Sequence, residues 1–266
     1  GRAFVPTTTP LIMLAVPDDI AARDEAATCT ADERAAMAAI GGSGAGTYGE
    51  ITSRGFARLA ERLRLRPDDV FVDCGSGLGM VVEQAARDYS VRRSYGVEYA
   101  GSRHAAALAR LAERGASGDG SGAIDTSIRL IEGDCAEESQ WASGGELSSC
   151  SCVYMCNVLF DDALNARLKR CVESCSAVRC VAAFRPWPSG LDGFGEPSMV
   201  QCETSWSSET APRRVLGLEL DAYGTSPVYV YERRAALLPS WWSGEIEGLL
   251  IVISLAFASS LLGLEP

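Results

Sequence analysis

The sequence predicts an α/β fold: a doubly wound, mostly parallel, Rossmann-like sheet of seven strands with an antiparallel closing hairpin. Three observations predict it. Strand-like and helix-like hydrophobic periods alternate from residue 70 to residue 184, a glycine-rich turn follows the first strand, and two late strand patterns have no helix between them. The 266 residues, 47% of them hydrophobic, suffice for one sizeable core.

The predicted elements follow one another in a regular order. Thr30 and Glu33 are spaced as a capping box at the start of a helix over 31–40, and the glycines of 41–46 indicate a flexible hinge. Apolar residues then recur at helical spacing from Ile51 to Leu65, before Pro67. Further helices are predicted at 79–88, 103–114 and 161–173, and strands at 70–73, 94–98, 127–131, 151–156, 177–184, 199–206 and 226–231.

The chain divides into three predicted parts. Residues 1–46 form a partly helical, flexible segment, residues 47–235 a catalytic domain, and residues 236–266 a hydrophobic tail. Within the tail, 248–264 is a run of 17 uncharged residues, close to the lower limit of about 17 for a membrane-spanning helix. Three interpretations stay open here: membrane association, a buried or partner-facing helix, and a mispredicted gene end.

Charge and cysteine content exclude some functions. The net charge is −11, and the chain has a single lysine, Lys169, with no basic run, so we expect no strong direct binding to DNA. The ten cysteines include no C-x-x-C pair, and His104 is the one histidine. We therefore expect no metal site, and we interpret the cysteines as small core residues of a protein in a reducing intracellular compartment.

The turn after the first strand carries the main functional signal. Asp73 is followed by Gly75, Gly77 and Gly79, and glycines let a backbone approach a ligand closely. Met80 stands where the dinucleotide fingerprint needs a third glycine, so the spacing is D-x-G-x-G-x-G. This pattern resembles motif I of the class I S-adenosylmethionine-dependent methyltransferases.

Two further acidic residues end the next two strands. Glu98 closes "YGVE", 25 residues after Asp73, at a position where a carboxylate can accept both hydroxyls of a ribose. Asp134 in "EGDC" follows the third strand, beside the expected adenine pocket. Three successive acidic strand ends strengthen the prediction of a bound nucleoside.

Other segments narrow the resemblance. "TYGEI" (47–51), "VFVDCGSGLGMVV" (70–82), "YGVEYA" (95–100) and "CNVLF" (156–160) are similar to motifs of the disruptor-of-telomeric-silencing family, the DOT-type, non-SET histone-lysine methyltransferases. The resemblance spans about 46–235. It implies S-adenosyl-L-methionine as cofactor, histone H3 as protein substrate, a role in chromatin regulation and a location in the nucleus.

The resemblance also implies roles for individual residues. Asn157 would lie near the transferred methyl group, Phe160 would form part of the lysine channel wall, and Tyr229 or Tyr231 of "VYVYE" would match a late channel tyrosine; we select Tyr231. The residues implied in cofactor binding are Tyr48 and Glu50 of the loop that closes on the methionine end, Asp73, Gly75 and Gly77 of motif I, Glu98 at the ribose, Asp134 and Cys135 at the adenine, and Asn157.

The chain departs from the family pattern at four positions within or beside these motifs. Ile51 replaces the usual Thr, Met80 a Gln and Cys156 the first of two Asn residues, while Cys135 stands where an aromatic ring commonly stacks on adenine. Methyl transfer needs alignment and exclusion of water, so we assign no general base. Two alternatives to histone methylation stay open: a methyltransferase for a small molecule or a non-histone protein, and a non-catalytic cofactor-binding module.

Overall fold

The elements come in an order that alternates strands and helices through most of the fold. The computed structural model describes residues 28–116, 127–205, 213–215, 218–220 and 225–234. In chain order, the elements are α1 (Ala31–Gly41), α2 (Ser53–Leu63), β1 (Val70–Cys74), α3 (Met80–Tyr89), β2 (Arg93–Glu98), α4 (Gly101–Ala116), β3 (Ile128–Glu132), α5 (Glu138–Trp141), β4 (Cys152–Met155), α6 (Asp162–Ser174), β5 (Cys180–Ala183), β6 (Ser198–Glu203), β7 (Arg213–Val215), β8 (Leu218–Leu220) and β9 (Thr225–Glu232).

Seven strands form the main sheet, in the order β3-β2-β1-β4-β5-β9-β6. Strands β3, β2, β1, β4 and β5 are parallel to their neighbours, whereas β9 runs antiparallel to both β5 and β6. This arrangement confirms the predicted fold class. Because β1 lies between β2 and β4, the connections from β1 and from β3 leave in opposite directions, and a crevice opens at the carboxyl end of β1.

Both faces of the sheet are covered by apolar cores. Residues of one parity, such as Val72 and Val153, pack on the side of α6, and residues of the other parity, such as Phe71 and Tyr154, pack on the side of α2. Every residue of β1, β4 and β5 is buried, as expected for parallel strands between two helical layers.

Helix boundaries follow the capping chemistry of the sequence. The capping box of Thr30 and Glu33 at the start of α1 is present. The Thr52 side chain accepts from Gly55 N at the start of α2, and Asp161 accepts from Leu164 N at the start of α6. These oxygens satisfy backbone N–H groups that have no partner inside the helix.

The segment 28–46 is bonded to the sheet domain through several contacts. Ser102 donates to the Glu33 carboxylate from its backbone N at 2.7 Å and from its hydroxyl at 2.7 Å. Asp161 N donates to Gly41 O at 2.8 Å. The glycine-rich stretch 41–46 thus forms a bonded turn where the sequence had suggested a flexible hinge.

All ten cysteines are free thiols, nine of them buried and Cys156 half-buried. Cys152 and Cys180 are partners in the register of β4 and β5, with their sulfurs 3.1 Å apart. Burial raises the pKa of Cys202 to about 11, which keeps this thiol in its neutral form. The thiols therefore pack as small apolar side chains.

The predicted tail 236–266, with its apolar stretch 248–264, lies outside the described residues. Among the helices that the structure describes, none is both long and apolar enough to cross a membrane.

Candidate active site

A cleft of about 300 Å³ lies at the carboxyl ends of β1, β2 and β4. Its lining comes from the glycine turn after β1, the ends of β2 and β3, the segment after β4, and the chain around residue 48. Four carboxylates line it, those of Glu50, Asp73, Glu98 and Asp134. This acidic lining favours a ligand that carries positive charge.

The glycine turn forms the floor of the cleft. Gly75, Gly77 and Gly79 have φ values of +84°, +52° and +72°, in the region that favours glycine. A Cβ on Gly77 would lie 2.7 Å from Cε2 of Tyr48, so the tyrosine ring rests directly on the turn. The glycine at this position is what allows the ring to approach.

Residues 47–51, which we call the strap, cross over the glycine turn. Glu50 N donates to Ser205 Oγ at 2.9 Å, and Ser205 N donates to Glu50 O at 2.8 Å. Ile51 forms an antiparallel bridge with Thr204. The strap is therefore bonded to the residues immediately after β6. Strand β6 forms one edge of the sheet, and β2 lies near the opposite edge.

Arg103 holds the other end of the strap. Its Nη2 donates to Gly46 O at 2.6 Å, and its guanidinium carbon lies 5.3 Å from the centre of the Tyr48 ring. The side chain is 5% exposed. A buried guanidinium over a tyrosine face is a stabilising cation–π contact. The sequence offered no signal for this residue, because Arg103 lies in an ordinary helical pattern.

Asp73 is a buried acid on the floor of the cleft. It is 3% exposed, and its Oδ1 has no hydrogen-bond partner among the described residues. Burial raises the pKa of this carboxyl well above its usual range, and the nearby charges of Glu98 and Glu50 raise it further. A buried oxygen without a partner, facing a cleft, is suited to a cationic donor on a ligand.

Glu98 and Asp134 are both held in place by backbone donors. Glu98 accepts from Gly77 N at 2.8 Å and from Ala100 N at 2.9 Å, so this carboxylate stays beside the glycine turn. Asp134 accepts from Ala136 N at 2.8 Å and forms an ion pair with Arg167 of α6. Both carboxylates keep lone pairs available for further donors.

Asn157, expected near the transferred methyl group, lies behind the cleft wall. Its side chain is fully buried, donating to Asn165 Oδ1 at 2.7 Å and accepting from Arg185 N at 2.9 Å. Cys156 lines the cleft in its place. Burial raises the pKa of Cys156 to about 12, so this side chain is a neutral thiol.

The other two expected catalytic residues differ in position. Phe160 lines the cleft, with its Cζ 3.4 Å from where a Cβ of Gly75 would lie. Tyr231 is buried against Trp187, and its hydroxyl accepts from Trp187 N at 3.1 Å. Neither Tyr231 nor Tyr229 is among the described residues that line the cleft.

The remaining expected cofactor residues lie together. Tyr48, Gly75, Gly77 and Cys135 all line the cleft with the four carboxylates. In the described ranges, no group of three His, Cys, Asp or Glu side chains is arranged to hold a metal ion.

Comparison with known proteins identifies the family. The family described as "Histone methylation protein DOT1" matches residues 41–183, just over half of the 266-residue chain. The chain belongs to this family. The match begins at the last residue of α1 and ends at the last residue of β5, so the glycine turn, the strap and the segment after β4 all lie within the matched range.

A curated relative supports the DOT1 match. The histone-lysine N-methyltransferase, H3 lysine-79 specific, of Eremothecium gossypii is 29% identical over 134 residues. These residues are 47% of this chain and 22% of the relative. The chain therefore spans about a fifth of the length of this curated relative.

Solved structures with a similar arrangement include two methyltransferases in complex with S-adenosyl-L-homocysteine. An RNA methyltransferase from Salinibacter ruber is 20% identical, with a TM-score of 0.43 over 70% of this chain and 93% of its own. A methyltransferase from Geobacter sulfurreducens is 16% identical, with a TM-score of 0.45 over 69% of this chain and 92% of its own.

Proposed function

We propose that this DOT1-family chain is an S-adenosyl-L-methionine-dependent protein-lysine methyltransferase that acts in the nucleus on histone H3. The observation that carries the proposal is Asp73, a buried carboxylate with an unpartnered oxygen on the floor of an acidic cleft. The relative named for H3 lysine-79 supports the choice of substrate.

The cleft residues are chemically suited to this cofactor. Asp73 would accept from the α-ammonium group, Glu98 would accept from the ribose hydroxyls, and Asp134 would accept from the adenine amine. Gly77 leaves space for the strap to close over the methionine end. The four carboxylates complement a ligand whose ammonium and sulfonium groups are both positive.

The protein's own contribution is alignment and exclusion of water. When bound, the cofactor would supply a methyl group on a positively charged sulfur, a donor activated for transfer to a neutral amine. Phe160, Val158 and Leu159 would offer apolar contacts to the side-chain stem of an incoming lysine. A neutral amine is the form that can attack.

A second candidate function follows from the charge of the chain. With a net charge of −11 and one lysine, the chain repels DNA and its own surface offers little to hold a nucleosome. This favours a non-histone protein or a small molecule as the acceptor.

One set of measurements tests both candidates. Calorimetry with S-adenosyl-L-homocysteine should show one-to-one binding, and methyl-labelled cofactor should label histone H3 among nucleosomes, free histones and a cell lysate. Label confined to another acceptor would support the second candidate. Binding without transfer to any acceptor would leave a non-catalytic module, and no heat with either form of the cofactor would overturn the methyltransferase proposal.

A further inference from the structure

Tyr154 lies under the strap on β4, in register with Asp73 of β1. Its ring packs edge-on against Phe56 and Phe184, with ring centres 6.3 Å apart in both pairs and interplanar angles of 73° and 75°. The residue is 2% exposed. Two aromatic contacts on a buried side chain fix the direction in which its hydroxyl points.

The Tyr154 hydroxyl differs from those of two other buried or half-buried tyrosines. Tyr231 accepts from Trp187 N at 3.1 Å, and Tyr89 donates to Ala57 O at 3.4 Å. Within the part of the chain that the structure describes, no group bonds to the hydroxyl of Tyr154, although this residue lines the cleft. Because Tyr154 lines the cleft, its hydroxyl can bond to a ligand there.

The protonation state of this hydroxyl is fixed by its surroundings. Burial raises the pKa of Tyr154 well above its usual range, and the neighbouring Cys156, Asp73 and Glu50 raise it further. The phenol is therefore neutral, with one O–H to donate and lone pairs to accept.

We propose that Tyr154 accepts a hydrogen bond from an N–H of the substrate amine, and that it thereby favours acceptors that still carry an N–H. This inference rests on the proposed function. Tyr154 lies two residues before Cys156, the first residue of the 156–160 segment at which the family resemblance places the transferred methyl group, and it shares its face of the strand with Cys156.

The hydrogen bond distinguishes successive methylation steps. An attacking amine must turn its lone pair toward the methyl carbon, so its N–H bonds point elsewhere. A neutral primary amine has two N–H bonds, a monomethylated amine has one, and a dimethylated amine has none. Tyr154 can therefore orient the acceptors of the first and second transfers, but not the acceptor of the third.

Bisubstrate analogues test this without a known protein substrate. In these molecules, a nitrogen replaces the cofactor sulfur and carries a short alkyl chain that ends in either a primary amine or a methyl group. By calorimetry, the wild-type protein should prefer the amine-ended analogue, and Tyr154→Phe should reduce that preference about fivefold, the ratio expected for one ordinary hydrogen bond.

Tyr89→Phe is the matched control, because Tyr89 also packs edge-on against Phe56 but is not a cleft-lining residue. It should leave the preference unchanged. Both variants should keep wild-type affinity for S-adenosyl-L-homocysteine. If Tyr154→Phe keeps the full preference, the inference is wrong while the proposed function stands; if the wild-type protein binds no cofactor analogue, the proposed function itself fails.

Discussion

Asp73 illustrates how a single residue can be unfavourable for folding and useful for binding. A carboxylate in this position has lost its water and has a raised pKa, chiefly because it is buried and then because Glu98 and Glu50 lie near it. The folded state therefore binds a proton more tightly than the unfolded state does. As the pH rises from the ordinary pKa of an Asp, 3.8, toward the folded pKa, this group progressively destabilises the protein.

Replacing Asp73 with Asn should therefore separate stability from binding. Without ligand, Asp73→Asn should raise the free energy of unfolding at neutral pH by about 1–3 kcal/mol, because the unpaired charge is gone. The gain should disappear well below pH 3.8, the ordinary pKa of an Asp, where the wild-type carboxyl is protonated in both states. Calorimetry should show that the same variant loses affinity for S-adenosyl-L-homocysteine. Lower stability of the ligand-free variant at neutral pH would contradict this account.

Gly77 carries a steric requirement that can be isolated by a matched pair of variants. Gly77 has a φ of +52° and lies under Tyr48, whereas Gly190 has a φ of +68° and nothing within 4 Å of an added Cβ. Both Gly→Ala changes should cost about 1–2 kcal/mol of stability for the left-handed backbone. Only Gly77→Ala should also displace the Tyr48 ring.

We expect Gly77→Ala to weaken binding of S-adenosyl-L-homocysteine at least tenfold, and Gly190→Ala to leave it unchanged. Thermal unfolding and calorimetry on the two proteins check this. Equal affinities would show that the approach of Tyr48 to the turn is irrelevant to the cleft.

At the residue scale, the acidic residues expected at the site line the cleft, whereas Asn157 after β4 does not. Asp73 and Glu98 are marked by the ends of two clear strand patterns, and both lie in the cleft. Asn157 was expected in the cleft because it matches the second Asn of the family motif, but the residue that lines the cleft is its neighbour Cys156. Successive side chains of an extended segment point to opposite sides, so neighbouring residues differ in which side they face. Strand β4 ends at Met155, and hydrophobic periodicity cannot locate the end of a strand to within one residue.

At the scale of elements, a polar network joins helix α6 to the segments that follow β4 and β5. Asn165 of α6 donates to Phe160 O at 2.9 Å and bonds to Asn157 after β4. Arg185, after β5, donates to Phe160 O at 2.7 Å. The backbone of Phe160 is thus fixed by the side chains of two residues that both bond to Asn157, and we expect Asn157 to act on the cleft through them as a positioning residue.

Asn157→Ala and Asn165→Ala test this role together. Each should destabilise the protein by about 1–3 kcal/mol, because buried partners are left unsatisfied. Both should lower methyl transfer while affinity for S-adenosyl-L-homocysteine is retained, and the double variant should lose less than the sum of the two singles. If Asn157→Ala alone abolished transfer and Asn165→Ala had full activity, Asn157 would be acting on the substrate directly.

Most elements were predictable because periodicity and capping agree. Helix α2 shows this, with Phe56, Leu59 and Leu63 buried at helical spacing. Three short elements were not predicted: α5 is a single turn, and β7 and β8 have three residues each, too few for a period to show. The contacts of 41–46 were missed because glycine content suggests freedom, whereas hydrogen bonds such as that from Asp161 N to Gly41 O depend on the fold.

For the whole molecule, charge decides which substrates can approach. A net charge of −11 repels the phosphates of a nucleosome, most strongly at low salt. We expect a chain of this composition to need cations from another group to reach a lysine on a nucleosome.

We therefore expect weak nucleosome methylation by this chain alone, and a gain when a Lys/Arg-rich segment is fused to it. The gain should fall as salt rises, because it depends on counterion release. A Gly/Ser segment of equal length is the control and should give no gain. Methyl transfer measured from 50 to 200 mM salt checks the dependence, and strong activity of the unmodified chain at physiological salt would contradict the charge argument.

The contacts of the strap depend on the order in which the chain is synthesised. Glu50 is bonded to Ser205, a residue 155 positions later, and the family match ends at residue 183. A chain leaves the ribosome amino end first, so the glycine turn and the strap emerge long before the residues that fasten the strap. Each newly made copy therefore passes through a period in which the strap and the glycine turn exist but Ser205, to which the strap is bonded, does not. We expect the cleft to close fully only after Ser205 has been synthesised.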